Sequence, residues 1–151
     1  MYTKILVPVD GSATSLLGLQ EAIQLAKDQK AALRLLHVVH DFLVAGGHGA
    51  AAYTSQLRQD LRARGEKALE DAVAIVRKQG LEVETKMVET PGGSVGEMIV
   101  EQAKAWPADL LVLGTHGRRG IRRLVMGSDA EYVVRMTPVP VLLVRSPEGS
   151  D

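Results

Sequence analysis

Cysteine is absent from this 151-residue sequence, so the chain forms no disulfide and offers no thiolate for catalysis or metal binding. Aromatic residues are scarce as well. One Trp, one Phe and three Tyr do not supply the stacked rings on which single-stranded nucleic acids bind. Eighteen basic residues balance eighteen acidic ones, which removes any long-range attraction for nucleic acid. We therefore expect no nucleic-acid partner.

Long apolar runs are missing too. No stretch approaches the roughly 18 apolar residues that a membrane-spanning helix needs, and the run that precedes Asp10 is too short for the apolar segment of a secretory signal. We therefore expect a cytoplasmic protein without a membrane partner. The length fits one domain, over residues 1–146, followed by a frayed tail at 147–151.

Strand and helix patterns alternate along the chain. Apolar runs predict buried strands at residues 5–9, 110–113 and 33–39, the last interrupted only by Arg34 and His37. Alternation of apolar and polar residues predicts a half-exposed strand at 81–88. A last strand is predicted at 139–144. Helical spacing and end signals predict helices at 14–30, 54–79, 94–105 and 128–136, with a loop at 45–52.

Five strands, each but the last followed by a helix, predict an α/β fold: an open, parallel, Rossmann-like sheet with helices on both faces. The half-exposed third strand belongs at an edge, whereas the second reads as interior. This favours the order 3-2-1-4-5 over the flavodoxin-like 2-1-3-4-5. The chain then reverses direction between strands 1 and 4, where such sheets bind ligands. Asp10 and Gly114, which end these strands, should be neighbours there.

Glycines follow the fourth strand in a spacing suited to phosphate binding. Leu113 is the last apolar residue, Gly114 ends the run, Gly117 follows after two residues, and Gly127 comes after nine more at a predicted helix start. Glycines let backbone N–H groups approach an anion, and a helix N-terminus adds unpaired donors. Each glycine alone also fits a simple turn. Arg118, in the sequence RRGIRR, either reaches a terminal phosphate or lies in a solvated loop.

Several catalytic motifs are missing. The sequence contains no GxxxxGK[ST] and no GxSxG, and its first strand ends in VDGS rather than GxGxxG, which excludes P-loop, nucleophile-elbow and dinucleotide-binding sites. Asp10 either stabilises the first turn or contacts a ligand. His116 is best read as a turn residue and His37 as a satisfied core residue. No catalytic residue is predicted.

With these residues in view, the chain resembles the universal stress proteins over essentially its whole length. The G-x2-G-x9-G-[ST] pattern of ATP-binding members is complete, ending in Gly127 and Ser128. The segments KILVPVDGS, LLHVV and TPVPVLLVR resemble the family's first, second and last strands. Four such matches in the right order are specific, although each alone is weak.

The resemblance implies an ATP-binding protein that acts as a nucleotide-responsive regulatory or protective module in stress response, with slow ATP hydrolysis at most. ATP would bind alone or with Mg²⁺. The adenosine side would involve Pro8, Val9, Asp10 and Val38. The phosphate side would involve Leu113, Gly114, Gly117, Arg118, Gly127, Ser128, Asp129 and Ala130.

Two of these residues depart from the family pattern. Nucleotide-binding relatives often have an apolar residue and then a small hydroxyl residue after Gly-Ser, where this chain has Asp129 and Ala130. The Asp129 charge favours the helix dipole but repels a bare phosphate. A divalent cation would turn that repulsion into attraction, so Asp10 and Asp129 are the candidate contacts to a phosphate-bound metal.

The last strand predicts a homodimer. It is apolar from Val139 to Val144, lies at a sheet edge and is blunted only by Pro140 and Arg145, so two copies could pair antiparallel. The family commonly dimerises through this strand. An alternative hypothesis is a dimeric interaction scaffold that binds no nucleotide. A third, an adenine-nucleotide α-hydrolase, is weaker because the first strand lacks the SGG-x-DS loop of those enzymes.

Overall fold

The computed structural model describes residues 1–40, 51–90, 92–115 and 126–147. Its strands are β1 (Lys4–Pro8), β2 (Ala32–His40), β3 (Glu84–Thr90), β4 (Leu110–Gly114) and β5 (Val141–Val144). Its helices are α1 (Ala13–Gln29), α2 (Ala51–Lys78), α3 (Val95–Ala105) and α4 (Ser128–Met136).

The strands form one parallel sheet in the order β3-β2-β1-β4-β5, which confirms the predicted order. The central position of β1 follows from its sequence, since Ile5, Leu6 and Val7 are all fully buried. A strand that is apolar on both faces must be covered on both faces. The switch point therefore lies between β1 and β4.

Helices cover the sheet on two sides. Successive strand residues point to opposite faces, so Ile5 and Val7 pack in the cluster that includes Leu19 of α1 and Val76 of α2. Leu6 packs in the opposite cluster with residues of α3 and α4. The core is thus two layers separated by the sheet. In the part of the chain that the model describes, no helix is both long enough and apolar enough to cross a membrane.

Local signals explain where the helices begin and end. Ser12 caps α1, its Oγ accepting a hydrogen bond from Ser15 N at 3.2 Å. Ser94 and Glu97 form a reciprocal capping box at the start of α3, as an S-x-x-E sequence predicts. Gly80 follows α2 with a φ of +77°, a conformation that glycine adopts without strain.

Three predicted boundaries were wrong. The strand predicted at 81–88 runs from Glu84 to Thr90 because it pairs residue for residue with Arg34–His40 of β2, so its partner and not its own alternation sets the register. The strand predicted at 139–144 is only Val141–Val144. Val139 is excluded because Pro138 and Pro140 have no N–H to donate. The predicted loop 45–52 ends early, since α2 begins at Ala51.

The amino end of the sheet is tied together by one carboxylate. Asp109 accepts hydrogen bonds from Thr3 N at 2.8 Å, Thr3 Oγ1 at 2.6 Å and Lys4 N at 2.9 Å. Partial burial alone would raise the pKa of Asp109, but these hydrogen bonds outweigh burial and hold the pKa below its usual value. The carboxylate thus joins β1 to the start of β4 at the end of the sheet opposite the switch point.

Candidate functional site

The carboxyl end of β4 lies directly against the first turn of α1. A Cβ placed on Gly114 would be 2.7 Å from the main-chain carbon and oxygen of Thr14, and one placed on Gly18 would be 3.3 Å from Gly114 N. A side chain at position 114 would therefore collide with backbone that cannot rotate away. Gly114 permits the close packing of helix on strand, whatever it also does for a ligand.

Asp10 follows β1 at the same carboxyl end of the sheet. Its Oδ1 accepts a hydrogen bond from Ser12 N at 2.9 Å, and its own N–H donates to the buried Ser15 Oγ at 3.2 Å. Asp10 therefore does stabilise the turn, as one interpretation of the sequence held. Within the described residues, no hydrogen bond reaches its other carboxylate oxygen, Oδ2. That half-buried oxygen remains available to a ligand hydroxyl.

β2 continues past the end of β1 and presents an open backbone edge. Leu36 O accepts from Val9 N at 2.8 Å, so Leu36 faces β1. Backbone groups alternate sides along a strand, so Val38, two residues after Leu36, also points its N–H and C=O to the side of β1. Because β1 ends at Pro8, these two groups lie beyond the last residue of that strand. The pairing of β1 with β2 ends at Pro8 and Leu36, so within the described residues the side of Val38 that faces away from β3 has no neighbouring strand.

His37 supports the corner between β1 and β2. Its Nδ1 lies 2.8 Å from Val9 O, and since a carbonyl only accepts, Nδ1 carries the proton. The ring packs against Gly65 of α2, where a Cβ would be 2.4 Å from His37 Cδ2. The prediction of a satisfied core histidine agrees with this contact, although the ring is only half-buried.

The chain returns to the same corner at Gly127. Gly127 N donates to Thr115 O at 2.8 Å, and Thr115 N donates to Val144 O at 3.0 Å. The buried Thr115 therefore joins the end of β4, the edge strand β5 and the start of α4. We refer to the Thr115–Gly127 hydrogen bond as the clasp.

The N-terminus of α4 differs from those of α1 and α3. Its N-cap is Gly127, with no side-chain hydrogen bond to the first turn, and its first helical hydrogen bond is Glu131 N to Gly127 O at 2.9 Å. The N–H groups of Ser128, Asp129 and Ala130 precede that bond and lack a helical acceptor. They are donors suited to an anion.

Asp129 is directed at another helix. Its Oδ1 accepts a hydrogen bond from Gly96 N, in the first turn of α3, at 3.1 Å. The sequence predicted this carboxylate only as a partner for its own helix dipole or for a metal. A contact across 33 residues arises from the packing of α3 against α4 and has no local signature.

Those predicted site residues that the structure describes thus lie at the carboxyl end of the sheet. They are Pro8, Val9, Asp10, Val38, Leu113, Gly114, Gly127, Ser128, Asp129 and Ala130. Gly117, Arg118 and His116 lie outside the described residues. Thr115, Ser15 and Gly65 were missed by the sequence analysis. Only Gly65 had a signal, because a glycine inside a helix costs about 1 kcal/mol relative to alanine and needs a reason.

An open cleft of about 430 Å³ adjoins this corner, lined by Gly11 and by residues of α2. It contains Lys67, whose Nζ lies 2.6 Å from Asp71 Oδ1. That hydrogen bond and the Asp71 charge raise the pKa of Lys67. Among the residues with described positions, His, Asp and Glu form no group of three that could hold a metal ion.

Known proteins with this fold were compared with the chain. The model of the universal stress protein family matches residues 1–145. The chain is 35% identical over 150 residues to universal stress protein MJ0531 of Methanocaldococcus jannaschii, covering 98% of this chain and 85% of that protein. The structure of universal stress protein UspA from Lactobacillus plantarum matches with a TM-score of 0.84 at 30% identity, covering 95% and 98% of the two chains.

Two further solved structures contain adenine nucleotides. A universal stress protein in complex with cAMP is 26% identical, with a TM-score of 0.71, over 97% of this chain and 99% of that one. The universal stress protein from Archaeoglobus fulgidus in complex with dAMP is 25% identical, with a TM-score of 0.69, over 95% and 98%. With its family match over nearly the full length, this chain belongs to the universal stress protein family.

Proposed function

We propose that the protein binds ATP, alone or with Mg²⁺, in the crevice between β1 and β4, and acts as a nucleotide-responsive regulatory or protective module in stress response. The observation that carries the proposal is the start of α4. Its first-turn N–H groups have no side-chain cap, and the bond from Gly127 N to Thr115 O holds them at the carboxyl end of the sheet, where the edge of β2 is also open. A donor group for phosphate and a pairing edge for a base thus occur at one switch point.

The adenine would pair with Val38. The Val38 N–H donates and its C=O accepts, and the Watson–Crick edge of adenine presents the complementary pair, N1 as acceptor and the N6 amino group as donor. Guanine presents the reverse pattern at the same positions, O6 as acceptor and N1–H as donor. Pairing through one residue's backbone therefore favours adenine over guanine by chemistry alone.

The ribose and phosphates would follow from the base. The free Oδ2 of Asp10 accepts from a ribose hydroxyl. Gly127 and the N–H groups of Ser128, Asp129 and Ala130 would hold phosphate oxygens, and Gly117 and Arg118 belong to the same proposal through the family pattern. Mg²⁺ would bind mainly through phosphate oxygens and water, as this ion usually does in nucleotide sites.

The ligands of related structures support an adenine nucleotide. The cAMP and dAMP complexes share the adenine and differ in sugar and phosphate, so the base is their common feature. The family resemblance implies slow ATP hydrolysis at most. We therefore propose a binding protein with slow hydrolysis at most.

Isothermal titration tests the proposal. ATP with Mg²⁺ should bind, GTP should bind at least about tenfold more weakly because its edge mispairs with Val38, and Gly117→Val should abolish ATP binding while the fold survives. Ala74→Val, an exposed change on α2, is the matched control for added bulk. A flat ATP trace at high micromolar protein would refute the proposal.

A homodimer through β5 is part of the same proposal, and the cytoplasm is the compartment we propose. Leu142 on β5 is 36% exposed, and Val134 and Met136 of α4 are 45% and 51% exposed. These apolar residues also favour the second candidate, a dimeric scaffold that does not use nucleotide. The ATP titration separates the two, since a scaffold would dimerise and give no heat.

A further inference from the structure

We infer that Asp129 is a positioning residue of the phosphate-binding helix: its carboxylate caps α3 and thereby fixes the start of α4, without contacting phosphate or metal itself. The inference rests on the proposed nucleotide site. It reassigns a residue for which the sequence suggested direct contact through Mg²⁺.

The hydrogen-bond pattern of α3 explains why Asp129 is needed there. Ser94 Oγ accepts from Glu97 N at 3.1 Å, and Glu97 Oε2 accepts from Ser94 N at 3.1 Å. This capping box leaves the N–H of Gly96 without an acceptor from α3 itself. Asp129 Oδ1 provides that acceptor at 3.1 Å. One carboxylate from α4 thus completes the cap of α3.

The two helices also approach each other closely at this point. A Cβ placed on Gly96 would lie 3.0 Å from Asp129 O and 3.0 Å from Tyr132 Cβ. The backbone of α4 therefore rests on the backbone of α3, and a side chain at position 96 would push the two helices apart. The hydrogen bond and the close packing act on the same residue, so a shift of α4 along α3 would break both.

The charge of Asp129 is used in the same contact. The N-terminus of a helix carries about half a positive charge, and Oδ1 faces the N-terminus of α3. The carboxylate is thereby compensated within the protein, which reduces its repulsion of a phosphate at the start of α4. An acidic residue is compatible with an anion site here because a neighbouring helix satisfies its charge.

Two variants separate positioning from direct contact. Asp129→Asn keeps an oxygen for Gly96 N but loses the charge, and Asp129→Ala loses both. Glu131→Ala is the matched control, since it removes the same charge from the exposed side of α4, where Glu131 pairs with Arg135. ATP affinity is measured by titration in Mg²⁺ and in EDTA, and exchange of the Gly96 amide hydrogen is measured by NMR without nucleotide.

We expect Asp129→Ala to speed Gly96 exchange by about tenfold and to weaken ATP binding by about three- to tenfold, equally in Mg²⁺ and EDTA. Asp129→Asn and Glu131→Ala should stay within about twofold of wild type in both measurements. Asp129→Asn thus shows whether the hydrogen-bond acceptor alone, without the charge, is enough to keep ATP affinity. This pattern is not expected from a role in stability alone, which would leave ATP affinity unchanged.

Three results with the variants would overturn the inference. A loss of binding by Asp129→Asn that is confined to Mg²⁺ would show direct metal contact. Unchanged ATP affinity in Asp129→Ala, with fast Gly96 exchange, would reduce Asp129 to a cap. Unchanged Gly96 exchange in that variant would remove the cap itself. A wild-type protein that fails to bind ATP refutes the proposed function and the positioning role together, and Gly96 exchange still reports separately on the cap.

Discussion

The main chain of Gly65 lies against the imidazole of His37, so closely that a Cβ on Gly65 would be 2.4 Å from His37 Cδ2 and 2.7 Å from Nε2. The ring cannot simply turn away, because its Nδ1 is held by Val9 O. The helix α2, the strand β2 and the end of β1 therefore meet at the His37 side chain. This side chain is next to Val38, the residue proposed to pair with adenine.

Gly65→Ala should destabilise the protein. In an ordinary helix the change stabilises by about 0.5–1 kcal/mol, but here the added methyl group overpacks the ring and we expect a loss of about 1–3 kcal/mol. Urea unfolding measures the difference. The double variant Gly65→Ala/His37→Ala supplies the control, since removing the ring should make alanine at position 65 neutral or stabilising. A stabilising Gly65→Ala in the presence of His37 would contradict the packing.

Gly114→Ala should be more damaging than Gly18→Ala, although the two glycines face each other. A Cβ on Gly114 would lie 2.7 Å from main-chain atoms of Thr14, whereas a Cβ on Gly18 would lie 3.3 Å from Gly114 N. We expect the first change to cost about 3 kcal/mol because it requires α1 to move, and the second to be close to neutral because the gain of about 0.5–1 kcal/mol from alanine in a helix offsets its milder contact. Equal melting temperatures for the two variants would refute the ranking.

Elements marked by their own residues could be predicted from the sequence. The helix α4 was predicted with its observed ends because Gly127 precedes it and Pro138 follows it closely. The strand order followed from which strands are apolar on both faces. These features depend on residues that are neighbours in the chain, which is the information that sequence patterns contain.

Features that depend on packing between distant residues could not be predicted. The register of β3 is set by β2, so its own alternation pointed three residues too early. The contact of Asp129 with Gly96 arises from the packing of α4 against α3, and that of Gly65 with His37 from the packing of α2 on the sheet. The sequence therefore predicted that the described residues of the proposed site lie at the carboxyl end of the sheet, but not which of them already have partners there.

Asp109 should make stability depend on pH. Its folded pKa is lowered by the hydrogen bonds from Thr3 and Lys4, which outweigh the effect of burial. The contribution of Asp109 to the free energy of unfolding is therefore full above the pKa of about 3.9 in the unfolded chain. This contribution is lost as the pH falls through the lower pKa of the folded protein. Asp109→Asn should lose about 1–3 kcal/mol at pH 7, and this gap should narrow below about pH 4.

Chemical denaturation at pH 7 and pH 3 measures that gap. Asp28→Asn, an exposed change in the last part of α1, is the control for loss of an acidic residue. A difference between wild type and Asp109→Asn that stays constant over this range would mean that the carboxylate charge contributes nothing to joining β1 and β4.

Leu142→Lys should convert the proposed homodimer into a folded monomer. Leu142 is exposed on the edge strand, whereas Leu143 packs in the cluster with α3 and α4, so only Leu142 can take a charge without loss of the core. A lysine on an edge strand disfavours pairing with a second strand. Sedimentation equilibrium at tens of micromolar gives the mass, with Ala74→Lys as the control. A wild-type protein that sediments as a monomer would refute the dimer.

The clasp has a consequence for how the start of α4 tolerates mutation. Thr115 O accepts from Gly127 N at 2.8 Å, and both atoms belong to the main chain. The bond therefore needs no particular side chain at either position, and a proline at position 127, which has no N–H, is the substitution that removes it directly. The attachment of α4 to the end of β4 thus does not depend on side-chain hydrogen bonding at these two positions.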